Sequence, residues 1–182
     1  MKKITKETYA VYLRHSRQYW FFATIAITSI ICTGLVDITV PLFYRQFFNV
    51  LSAAGTLHTG DVAHRLIQIA FLILFLDLAG WTLHRTEAFS SNHFTPRVAG
   101  DLANTCFAYL HNHSYGFFTG QFIGSLVRKV NRLTDAFDGI TERMFGEILP
   151  TAVRVIAIIA ILLYSHAMLG AILLVWVLIY LR

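Results

Sequence analysis

The sequence is poor in charge, with Asp, Glu, Lys and Arg making up 14% of 182 residues, where a soluble domain carries about a quarter. It is also poor in the residues that break or crosslink a chain: three prolines, eleven glycines and two cysteines. So little proline and glycine excludes a low-complexity or collagen-like chain. Cys32 and Cys106 lie far apart, one in an apolar run and one in a polar segment, so no disulfide framework is expected. No Gly-Lys pair occurs anywhere, which excludes a phosphate-binding P-loop made by this chain. No His-x-x-x-His pair, nucleophile elbow or set of paired catalytic carboxylates is present, so neither a metal site nor a catalytic residue is expected. His111 and His113 and the scattered remainder read as solvated or interfacial histidines.

What fills the chain instead is hydrophobic residues, 56% of the total, with a mean hydropathy of +0.59. One soluble core of this size cannot hide that much apolar surface, so the composition excludes a soluble globular enzyme and a disordered tail. It predicts an all-α membrane protein. Spans are expected over about residues 19–40, 65–83 and 148–164, with the start of a fourth over 168–181. The first run is too long for a cleaved leader and no Ala-x-Ala exit follows it. Pro41 is expected to kink or end that helix, and residues 52–61, with Gly55 and Gly60, read as an external loop. The fourth run falls short of a full span, which reads as a chain stopping inside an element or as a thin or re-entrant helix.

The net charge of +5 follows the same topology. Lys2, Lys3, Lys6, Arg14 and Arg17 precede the first run, and six basic residues from Arg85 to Arg143 lie between the second and third. Only Arg45 and Arg65 lie between the first and second. This is the positive-inside pattern, with the N-terminus and residues 84–147 cytoplasmic, and it removes the need for a nucleic-acid partner.

Residues 84–147 are too polar for lipid yet keep helical spacing, as at Val98, Leu102, Cys106 and Tyr109. Leu126, Val130, Leu133, Phe137, Ile140 and Met144 recur in steps of four and three, which predicts a heptad seam with charged outer faces. Between the two helices stands SYGFFTGQFIG, residues 114–124, with Gly116, Gly120 and Gly124 beside Tyr115, Phe117, Phe118 and Phe122. An aromatic cluster at the tip of a helical hairpin is either a self-packed turn or an anchor for a partner protein.

Three ionisable residues fall inside the apolar runs: Asp37, Asp77 and Arg154. Each is costly in lipid and should face protein or a cavity. Counted along their helices, Asp77 and Arg154 both lie roughly 10 Å above the inner boundary, which places them within reach of an intramembrane pair.

Two long hairpin helices joined by an aromatic-glycine turn resemble the membrane domain of an ABC exporter, the ABC transporter type 1 or type IV fold. In that family a short coupling helix joins the second and third membrane helices and docks on the nucleotide-binding domain. The stretch LHNHSYGFFTGQFIGSLVRKVNRLTDAFD carries the likeness: Phe117 and Phe118 match the paired aromatics, Gly124 the family glycine and Leu126 the leucine. Lys129-Val130 stands where Arg-Leu is usual, Asp135 fits the second acidic position, and Leu133 replaces the first. Pro41-Leu42 with Phe47-Phe48-Asn49, and Tyr164-Ser165-His166 to Gly170, resemble flanking family features. The resemblance implies a partial six-helix exporter domain over residues 1–182. It implies that Tyr115, Gly116, Phe117, Phe118, Thr119 and Gly120 contact a nucleotide-binding domain in the same or a separate chain. It further implies a homo- or heterodimer in the plasma (inner) membrane, and ATP with Mg held by that other domain, whose hydrolysis powers transport. The alternative is a small membrane adaptor whose cytoplasmic hairpin binds a soluble partner without transport.

Overall fold

The structure, a computed structural model, describes residues 2–53, 59–112 and 123–180, and no strand occurs among them. Helix α1 (Lys2–Ser16) passes through a 3₁₀ turn (Arg17–Tyr19) into α2 (Trp20–Ser52). Helix α3 (Thr59–His111) is 53 residues long. Helix α4 (Ile123–Arg143) leads through a π turn (Met144–Ile148) into α5 (Leu149–Ser165), and α6 spans Ala167–Tyr180. Pro150 sits at the head of α5. It has no N–H to give the Gly146 carbonyl, so the ladder slips by one residue and the π turn results. Pro41 does not end α2, which continues to Ser52.

The chain forms two compact units. One contains Met1–Ile27 and Glu87–Glu147, the other Thr28–Thr86 and Ile148–Arg182.

The first unit is held by a conventional core. Phe94, Val98 and Leu102 on α3 are buried at steps of four, facing Leu126, Val130 and Phe137 on α4. Phe94 lies against both Phe137 and Phe145, with ring centroids 6.3 and 5.9 Å apart. The heptad seam expected on α4 holds only at its start. Thr141 and Phe145 are buried where Ile140 and Met144 were expected, and those two stand 40% and 38% exposed. A straight α-helix turns every 3.6 residues, so a face kept in contact must move from 3–4 alternation to repeated steps of four. Tyr109 is likewise exposed, since the α3 face runs through Leu102 toward Cys106.

Helix α1 closes this core. Tyr12 packs edge-on against Phe137 at 5.3 Å, and its hydroxyl donates to the Leu133 carbonyl at 2.9 Å. Tyr19 donates to Asp101 at 2.8 Å, and the Arg97 guanidinium lies 5.4 Å from the Phe22 ring centroid. Tyr12→Phe keeps the ring and removes the donor. It is expected to lower the stability of this unit by about 1 kcal/mol in urea titrations followed by near-UV circular dichroism. An unchanged midpoint would remove the Leu133 contact from the account.

The second unit is built differently. Apart from α6, its helices are parts of three longer stretches, Thr8–Ser52, Val62–His111 and Gly124–Ser165, that are long and apolar enough to cross a membrane, and the most apolar windows within them are only 22%, 11% and 0% buried. Phe71, Phe75, Ile156 and Ile179 point outward, more than half exposed. Apolar residues on every face are what a helix needs in hydrocarbon. The helices approach through small residues: a Cβ on Gly34 would come within 2.6 Å of Val153 Cγ1, and one on Gly80 within 3.3 Å of Val36 Cγ1. Close backbone approach of this kind is how helices associate where water supplies no hydrophobic drive.

Candidate functional site

Charge inside an apolar unit is the feature that asks for an explanation. Asp37 stands midway along α2, four residues before Pro41. Pro41 has no N–H to give the Asp37 carbonyl, so this stretch of α2 carries a spare backbone acceptor as well as a carboxylate. Arg154 projects from the second turn of α5. Its Nη2 donates to Asp37 Oδ2 at 2.8 Å, and the two groups form a salt bridge. Gly34, one helical turn below Asp37, is what lets α5 come close enough at Val153 for the neighbouring arginine to reach.

Sequence reasoning placed Asp77 beside Arg154. In the structure the guanidinium is taken by Asp37, while Asp77 lines the same cavity without a hydrogen bond or ion pair among the described residues. The cavity has a volume of about 480 Å³. Its polar lining is Thr33, Asp37, Asp77, Trp81, His84 and Arg154, and Val36 and Val40 add apolar wall. The Thr33 hydroxyl is buried and has no hydrogen-bond partner among the described residues. Trp81 follows Asp77 by one turn of α3, so both side chains lie on one face of that helix. Thr33 and Trp81 were not legible as site residues in the sequence. The i, i+4 spacing of Trp81 from an intramembrane aspartate was the one signal that pointed to it.

Two carboxylates against one guanidinium leave the cavity with one surplus negative charge when His84 is neutral. The arrangement can neutralise and hold a donor; it contains no activated nucleophile. Among the described residues no group of three or more His, Cys, Asp or Glu stands close enough to hold a metal ion.

The expected partner-contact residues Tyr115, Gly116, Phe117, Phe118, Thr119 and Gly120 lie outside the described residues. The helices on either side of them end at His111 and begin at Ile123.

Against known families, the model for the ABC transporter transmembrane region matches residues 23–182. No curated protein and no solved structure matches the chain.

Proposed function

The chain belongs to the family of ABC transporter transmembrane regions, and from that membership we propose that it forms part of the translocation pathway of an ATP-driven exporter. The match over residues 23–182 carries this reading, because it includes the residues between α3 and α4 as well as the apolar helices. The chain is an integral membrane protein with long apolar helices. The basic residues before α2 and between residues 84 and 147 favour a cytoplasmic N-terminus, and the membrane we propose is the plasma (inner) membrane.

ATP hydrolysis, with Mg as its cofactor, would supply the free energy of the cycle at a nucleotide-binding domain, in the same chain or another. No residue here fits that role, since a phosphate cradle needs a Gly-Lys pair that this sequence lacks. The contribution of these residues is mechanical. Tyr115 to Gly120 dock on the nucleotide-binding domain, and Phe117 and Phe118 supply the apolar anchors. Displacement at that end is passed on through the ring contacts of Phe94 on α3 with Phe137 on α4 and Phe145 in the π turn. Two such units, as a homo- or heterodimer, enclose the pathway.

Phe118→Ala tests the docking step. In the complete transporter it is expected to weaken substrate-stimulated ATP hydrolysis by about tenfold while membrane insertion stays unchanged. Stimulation at the unaltered level would remove the docking role and favour an adaptor.

A further inference from the structure

We infer that the Asp37–Asp77–Arg154 cavity binds an organic ammonium, a protonated amine carried on an apolar body. The assignment starts from charge. Arg154 is committed to Asp37 at 2.8 Å, so Asp77 is left as a carboxylate with no cationic partner among the described residues. A lone charge among apolar helices costs about 2.5–3.5 kcal/mol, and a bound cation offsets it.

Hydrogen bonding narrows the class. The Thr33 hydroxyl is buried without a partner among the described residues, and Pro41 leaves the Asp37 carbonyl without its helical N–H. The cavity therefore offers the Asp77 carboxylate as an unpaired acceptor, with the Thr33 hydroxyl occluded in its wall. A ligand that satisfies Asp77 donates N–H as well as carrying positive charge. Trp81, one turn beyond Asp77, adds an aromatic face that attracts a cation and covers apolar surface. A bare inorganic cation fits poorly, because hard cations draw on six or more oxygens and gain little from an indole. The volume of about 480 Å³ suits a small-molecule ligand.

This names a substrate class for the proposed pathway, and rests on that reading only in taking the bound cation as cargo. The test therefore reads binding, which needs neither ATP nor a nucleotide-binding domain. The full chain in lipid nanodiscs is titrated calorimetrically with octylammonium, octyltrimethylammonium and octanol, with empty nanodiscs as the blank. Octylammonium is expected to saturate one site. The quaternary analogue, which has the charge but no N–H, is expected to bind several-fold more weakly, and octanol not to saturate. Asp77→Asn should weaken octylammonium binding at least about tenfold without lowering the thermal unfolding temperature, since it removes an uncompensated charge. Thr33→Val, which keeps the shape, should weaken it by a smaller factor at unchanged stability. Equal affinity in Asp77→Asn and the parent, saturable octanol binding, or displacement by millimolar KCl would each overturn the proposal. So would a lower unfolding temperature for Asp77→Asn, which would make Asp77 a structural residue.

Discussion

Arg154→Gln is expected to destabilise the chain in lipid by about 2–3 kcal/mol, and Asp37→Asn added to it to restore most of that loss. The single change leaves the Asp37 carboxylate among apolar helices with its guanidinium gone. The double change leaves two neutral amides that still hydrogen-bond. The environment decides the magnitude. Both side chains are about half exposed in this chain, at 55% and 40%, and a pair so exposed to water contributes under about 1 kcal/mol and is screened by salt. If hydrocarbon and protein surround it instead, the coupling is larger and indifferent to salt. Unfolding of the four variants in lipid–detergent mixtures, at low and high salt, separates these cases. Strictly additive losses would mean that the 2.8 Å contact carries no coupling.

Gly170→Ala is expected to lower stability by about 3 kcal/mol, at the upper end of what overpacking produces. The turn between α5 and α6 closes with the Gly170 and Leu169 N–H groups both donating to the His166 carbonyl. That closure brings Gly170 onto the end of α5. A Cβ there would stand 2.6 Å from the Leu163 nitrogen and 2.8 Å from its Cα. These are backbone atoms, which cannot rotate aside. Gly34→Ala meets the Cγ1 and Cβ of Val153 at 2.6 and 3.4 Å, side-chain atoms rather than the backbone met at Gly170, so its loss should be smaller. Gly139→Ala meets nothing within 4 Å, and should gain up to about 1 kcal/mol from helix propensity. The three alanine variants, unfolded in parallel, should rank in that order. Equal effects at Gly170 and Gly139 would contradict the close approach.

The sequence revealed the existence of the helices more reliably than their faces. Composition and run length suffice for the first, since only a membrane accommodates so much exposed apolar residue. Faces depend on phase. Over one or two turns steps of four and three cannot be told from steps of four, and the difference at Thr141 and Phe145 accumulates only near the end of α4. The partner of Arg154 was hidden by depth. Counted from Tyr19, Asp37 is about 27 Å along its helix, far from an arginine roughly 9 Å beyond Ile148. Yet residues up to Ile27 pack in the unit built with Glu87–Glu147, where Tyr19 meets Asp101 and Phe22 stacks on His93. Counted from Thr28, Asp37 is only about 14 Å in, level with Arg154. A boundary drawn by hydropathy alone does not show that residues up to Ile27 pack in a different unit from Asp37.

The continuity of α2 and α3 through both units means that one helix is stabilised by two unrelated forces along its length. Around Val98 and Leu102 the packing draws on water's exclusion of apolar surface, and urea should loosen it. Around Gly34 and Gly80 no such exclusion operates, and close backbone contact holds instead, which urea leaves intact and a harsh detergent pries apart. A melting experiment on this chain should therefore lack a single transition. Each denaturant should unfasten a different stretch of the same helix, and the order of melting should follow the choice of solvent.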